Sequence, residues 1–125
     1  MAGTQTWAIE EDLFGYTWFA NNQGVVRFDG YRWKVYPLAN KTIARSLACD
    51  KKEHKVYVGG QGEFGYLSPD ERGIFFYTSL SAQLEEQHRN FSDVWHTVIT
   101  EHGVFFRTDH QVFRYHDQKL TPLFP

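Results

Sequence analysis

Two carboxylates, Asp12 and Asp50, each close a short apolar run, and a pair of carboxylates facing one channel can serve as general acid and base. Their recurrence at the same kind of turn argues for a structural task instead. An Asp at a turn accepts backbone N–H groups with its side chain, so no catalytic residue is assigned and the chain is not expected to be an enzyme. No Gly-x-Ser-x-Gly elbow or phosphate-binding loop is present. Six histidines, His54, His88, His96, His102, His110 and His116, show no His-x-x-x-His spacing. With Cys49 the lone cysteine, thiolate clusters are ruled out, and neither a metal nor a cofactor is expected. The remaining candidates are polar side chains of turns and connections: Asn22, Gln23, Gln61, Glu63, Arg107, Asp109 and His110, with Arg45 just ahead of an apolar run. Such groups beside a ring, Trp95 or Trp18, are what sugar or peptide recognition uses, hydrogen bonds for orientation and an indole for stacking. They are also what any surface loop carries.

The elements that position these residues repeat. Trp18 is followed seven residues later by Val25-Val26-Arg27-Phe28, Tyr57 by Phe64-Gly65-Tyr66-Leu67, and Phe105 by Val112-Phe113-Arg114-Tyr115. The three aromatics are 39 and 48 residues apart, the period of a blade-like β unit. Strands are predicted at 7–9, 16–20, 25–28 and 31–36 in the first unit, at 46–50, 56–58, 64–67 and 74–77 in the second, and at 94–99, 104–106, 112–115 and near Leu120 in the third. Asn21-Asn22-Gln23-Gly24 and Asp29-Gly30 are turn signals of the first unit. Residues 81–91 break the pattern as an inserted loop, in which Leu84-Glu85-Glu86-Gln87 can form one helical turn. Even spacing without an amphipathic helix predicts an all-β chain of about three four-stranded antiparallel blades, a β-propeller fragment, over units 5–38, 44–80 and 92–125. A sandwich is the alternative, but it needs no aromatic recurring at a fixed place.

In such a meander the second-to-third-strand turns and the connections between units fall at one end of every sheet, because successive turns alternate ends. One rim therefore collects all eight polar candidates, together with Lys41, His88, Arg89 and Asn90.

Composition fits this reading. Hydrophobic residues at 42% exclude a disordered chain, and aromatics at 18% favour strands. Thirteen basic against fifteen acidic side chains leave a net charge of -2, so nucleic acid is not an expected partner. No run reaches the ~18 apolar residues of a membrane helix, so no membrane contact is expected of this segment. Met-Ala-Gly-Thr-Gln-Thr at the start lacks the basic and apolar regions of a signal peptide. A strand opens almost at once, which leaves room for an export signal removed from a longer parent.

The repeats resemble those of bacterial two-component regulator propellers, the sensor regions of hybrid histidine kinases and of triple-tyrosine-domain transcriptional regulators. The resemblance rests on Asp12, Gly15, Thr17-Trp18-Phe19 and Gly24-Val25-Val26-Arg27-Phe28-Asp29-Gly30, and on Asp50 with the run from Tyr57 to Leu67. The second copy has Glu53-His54 where a turn glycine belongs, and the third has Thr100 in place of the Asp. The resemblance implies a periplasmic or otherwise extracytoplasmic sensing module that takes a carbohydrate-derived or other small ligand and passes the signal to downstream domains of the same parent. A purely structural interaction propeller is the competing reading. A ring closes with about four to eight blades, so three would leave two blade faces open, and self-association through those faces is expected.

Overall fold

The computed structural model describes residues 5–123. Residues 1–4, which hold most of the opening read for a leader, and Phe124 and Pro125 at the end of the third unit lie outside the described residues. The chain forms three four-stranded antiparallel sheets, each a meander in chain order. The first holds β1 (Thr6–Glu11), β2 (Thr17–Asn21), β3 (Gly24–Phe28) and β4 (Trp33–Tyr36). The second holds β5 (Ser46–Asp50), β6 (Lys55–Gly59), β7 (Phe64–Pro69) and β8 (Phe75–Ser79). The third holds β9 (His96–Thr100), β10 (Gly103–Arg107), β11 (Val112–His116) and β12 (Lys119–Pro122). The first strands pack side by side, β1 next to β5 and β5 next to β9, so the sheets fan out from a common inner edge as propeller blades do.

Some boundaries move from their expected places for local reasons. The fourth strand of blade 1 starts at Trp33 rather than residue 31 because Asp29 Oδ1 accepts from the N–H groups of Tyr31 and Arg32 and holds both in the turn. β9 starts at His96 because the Val94 N–H is already spent on the Gly60 carbonyl of blade 2. The inserted loop contains two short 3-10 turns, Ser81–Gln83 and Glu86–His88. Leu84 lies extended between them, not inside the expected turn, because its side chain is buried in the core between blades 2 and 3. Arg89 fixes the loop by donating to the carbonyls of Leu84 and Ala82.

The pairing register explains the recurring aromatic. Trp18, Tyr57 and Phe105 stand at one place in their sheets: opposite Glu10, Ala48 and Val98 of the first strand, and opposite Arg27, Tyr66 and Arg114 of the third. Trp18 and Tyr57 look toward the next blade, while Phe105, on the last blade, is half-buried. Trp18 is fully buried against Tyr36 and against Phe75 of blade 2, with ring centroids 5.8 and 5.1 Å away. Arg27 lies over this group, 4.6 Å from the Tyr16 ring centroid and 5.9 Å from that of Phe75. Tyr57 repeats the arrangement one blade on, packing with Phe106 and Tyr115. Two cores result, one on each side of the middle blade: Val56, Val58, Leu67 and Phe75 face blade 1, while Tyr57 and Phe64 face blade 3. Close packing also dictates residue size. A side chain at Gly65 would run into the Thr78 carbonyl and the Tyr77 ring, and at Gly24, whose φ is +120°, a Cβ would meet the Tyr36 carbonyl at 2.6 Å.

The repeated carboxylates do the turn work expected of them. Asp12 Oδ1 accepts from the N–H groups of Phe14 and Tyr16, and its Oδ2 accepts from the Trp18 indole at 2.8 Å. Asp50 accepts from Lys52 and Glu53, and Thr100 takes over in the third repeat by accepting from His102. Asp12→Ala therefore strands two amides and a buried indole, and it is expected to cost about 1–3 kcal/mol. Urea unfolding measures this, and Asp12→Asn, which keeps one acceptor oxygen, is expected to lose less.

Candidate functional site

The rim expected from strand alternation exists, and backbone hydrogen bonds define it. Ala44 N–H donates to the Asn21 carbonyl, Gly62 N–H to Ser92, Val94 N–H to Gly60 and Trp95 N–H to Arg107. Each joins an inter-blade connection to a turn between second and third strands, or to the end of a strand that enters one. All of these segments therefore share one end of the sheets. Polar side chains tighten the same end: Asn40 Nδ2 donates to the Gln61 carbonyl, and Gln61 Nε2 donates to Asp93 Oδ1.

At the inner edge of this rim the three blades contribute equivalent residues. Ala8, Ser46 and His96 pair with Ala20, Gly59 and Arg107, so the residues just ahead of them, Trp7, Arg45 and Trp95, occupy one repeat position. They form a stack. The Arg45 guanidinium lies between two indoles, 4.2 Å from the Trp7 ring centroid and 5.1 Å from that of Trp95. Its Nε donates to Asp93 Oδ1 at 2.8 Å, and its Nη1 is buried without a hydrogen-bond partner among the described residues. Trp7 Nε1 donates to Asn22 Oδ1, which orients the first indole. Both indoles remain open, Trp7 at 42% and Trp95 at 36% exposure, so each can offer ring surface to a ligand while Arg45 and Asp93 hold them in place. A cation over an indole contributes about 0.5–2 kcal/mol, most where water is excluded.

Blade 3 extends the polar surface outward. Arg107 donates through Nε and Nη2 to His96 Nδ1, at 3.0 and 2.7 Å, which fixes the imidazole as acceptor at that nitrogen and, among the described residues, leaves the guanidinium charge without a carboxylate. Beyond it, a cleft of about 380 Å³ is lined by Asn90, Phe91, Thr108, Asp109 and His110.

Of the residues picked out from the sequence, Asn22, Gln61 and Arg45 gather around the stack, Arg107 bonds His96 next to Trp95, and Asp109 and His110 line the separate blade 3 cleft. Gln23 is exposed in the turn, its N–H donating to Asn21 Oδ1. Glu63 turns inward. It is buried, with Oε2 accepting from the Tyr77 hydroxyl at 2.6 Å and Oε1 from Ser81 Oγ at 2.9 Å, which ties the turn to β8 and to the inserted loop. Trp18, weighed with Trp95 as a stacking surface, is enclosed in the inter-blade core, and Trp7 stands at the rim in its place. Trp7 and Asp93 carried no individual signal in the sequence. Superposing the repeats on the strand register finds Trp7, but a register shift between Thr6 and Ala8 and the inserted loop hide the equivalence in the bare sequence.

Among the described residues no three His, Cys, Asp or Glu side chains group as metal ligands, and no helix is long and apolar enough to cross a membrane. Compared with known proteins, the chain matches no family model and no curated sequence. A further cleft, about 550 Å³, opens at the opposite end between blades 2 and 3, beside Asp50, Lys55, Tyr57 and His116. It offers less for recognition. Asp50 Oδ1 is occupied by two amides, and Tyr57 is buried.

Burial also shifts protons. The Cys49 thiol is pushed up to about 12, by burial first and then by the carboxylates of Glu10 and Asp12. Burial and then Glu63 raise the Tyr77 phenol strongly, and Tyr57 is raised by burial and then by Tyr115. These groups keep their protons longer folded than unfolded. The stability they confer is complete below the ordinary values of 9.0 and 10.0 and is lost as pH rises from there through the folded-state values. Thermal unfolding followed upward from about pH 9 should therefore show a falling midpoint, and Cys49→Ala with Tyr77→Phe should flatten that fall.

Proposed function

We propose that this chain is part of an extracytoplasmic ligand-sensing β-propeller of a bacterial two-component-type regulator, and that its ligand is a carbohydrate-derived signal bound at the rim. The observation that carries the reading is the Trp7–Arg45–Trp95 stack: two half-open indoles fixed by a half-buried arginine at the inner edge of three blades. Sugar rings present C–H faces that pack on indoles and hydroxyl groups that need directed partners. Asn22 and Gln61, at the same end, supply amides for the second need. Arg107, which bonds the His96 ring and the Thr108 carbonyl and meets no carboxylate among the described residues, favours a sugar that carries a carboxylate. Repeat pattern and blade architecture are in keeping with the two-component regulator propellers that the sequence resembles. In that reading the bound signal changes contacts with domains downstream in a longer parent.

Tryptophan fluorescence tests the site, because Trp7 and Trp95 are its platforms. Titration with oligogalacturonate is expected to give a saturable change, larger than with a neutral gluco-oligosaccharide. Trp95→Ala, with an unchanged circular dichroism spectrum, should weaken binding at least about tenfold, about 1.4 kcal/mol. No response to either sugar up to the millimolar range would favour the propeller that only holds protein partners.

A further inference from the structure

At the end of the sheets opposite the rim, the junction between blades 1 and 2 is filled, and the junction between blades 2 and 3 is not. In the first, Phe14 and Phe75 leave a gap of only about 10 Å³, with the Phe14 ring 4.9 Å from that of His54. The register shows what stands in these places at the second junction. Glu53 and Lys55 precede Tyr57 as Phe14 and Tyr16 precede Trp18. Gln118 lies two residues before Leu120 as Phe75 lies two before Tyr77, and Leu120 and Tyr77 hold the same place in their sheets. The turn between β11 and β12 is just Asp117 and Gln118, with φ of +50° and +62°, so it stops short of where Phe75 reaches. Three rings are thereby replaced by polar side chains, and the result is the cleft of about 550 Å³. That is the size of a small-molecule site.

The rim's exposed indoles have no counterpart here, which is why a sugar finds less, but the walls suit another chemistry. Tyr57 is 4% exposed and lines the cleft, yet its hydroxyl has no hydrogen-bond partner among the described residues. A buried Tyr hydroxyl ordinarily has one. Burial, then Tyr115 and then Asp50 raise this phenol, so at neutral pH its oxygen is an uncharged acceptor. Tyr66 and Tyr115 stand beside it, with ring centroids 5.7 and 6.3 Å from that of Tyr57. These rings already take a cation, since the Lys55 ammonium lies 4.6 Å from the Tyr66 centroid. Charge points the same way. Asp50, Glu53, Glu101 and Asp117 line the cleft against Lys55 alone, and His116 Nε2 lies 3.4 Å from Asp117 Oδ2.

We propose that this cleft binds a small organic polycation of the polyamine class. One ammonium group donates to the Tyr57 hydroxyl and packs against the neighbouring rings, and the other amines meet the carboxylates around the opening. Both walls belong to blades that face each other within this chain, and the inference does not depend on what the rim binds.

Calorimetric titration with spermidine at low salt tests it. One saturable site per chain is expected, weakening as sodium chloride is raised. Tyr57→Phe removes only the unpartnered hydroxyl, so the unfolding midpoint should hold while affinity falls about three- to tenfold. Glu53→Lys, at an exposed turn position, brings a competing ammonium to the opening and should weaken binding at least about fivefold. Trp95→Ala should leave spermidine binding unchanged. The absence of saturable binding up to the millimolar range overturns the inference. So does binding that Tyr57→Phe leaves unchanged, the mark of diffuse attraction to surface carboxylates, and so does its loss in Trp95→Ala, which would move the site to the rim.

Discussion

Trp18 sits where the demands of turn, strand and blade meet. Its indole N–H is held by Asp12, its ring fills the space between Tyr36 and Phe75, and Arg27 covers it. A four-stranded antiparallel sheet has two faces, and here both are rich in aromatic and β-branched residues. Neither face can be left to water without losing about 25 cal/mol for each Å² of apolar surface kept exposed. Packing sheet on sheet through one recurrent aromatic answers this for the middle blade on both sides. The same residue positions carry each junction, which is why Tyr57 among Phe106 and Tyr115 repeats the logic of Trp18 with different side chains.

That packing fixes where recognition chemistry can sit. Once β1, β5 and β9 run side by side, the chain must climb from the end of one blade to the inner strand of the next, and every such connection passes the same rim. Residues that stand far apart in the sequence are thereby brought to one place. Arg45 meets Asp93 and Trp95 on one side and Trp7 on the other. The connection is stiff as well as convergent: Ser46 Oγ bonds Thr97 Oγ1 and the Val94 carbonyl beneath the stack. Buried polar pairs of this kind hold geometry only when both partners are satisfied, and a side chain at Gly59 would strike Ser46 and Val94 together.

Glu63 shows how a polar residue in a turn can serve the frame rather than a ligand. A carboxylate facing inward is costly unless its oxygens are matched, and Tyr77 and Ser81 match both. Ser81 in turn accepts from the Phe64 N–H, so one acid joins the turn, the outer strand and the inserted loop. The loop earns its length this way, carrying Leu80 and Leu84 into the core between blades 2 and 3.

The sequence by itself determined the strand count, the meander order, the three-blade architecture and the single polar rim. These follow from short-range physics: alternation along a strand, Asp and Gly at turns, and an aromatic returning in each repeat. It also settled the task of Asp12 and Asp50, because a residue repeated at every such turn answers to the backbone. Only the tertiary structure decided which polar residues meet. Glu63 and Gln61 are two residues apart in one turn, yet one is buried and the other lies against Asp93. Trp18 and Trp7 are both strand tryptophans, and the packing of blade on blade buries the first and leaves the second at the rim. Turn chemistry is written within a few residues of itself. The environment of a side chain depends instead on which blade comes to lie across it, and that is fixed by contacts some 40 or 50 residues away, such as those joining Arg45, Ser46, Val94 and Thr97.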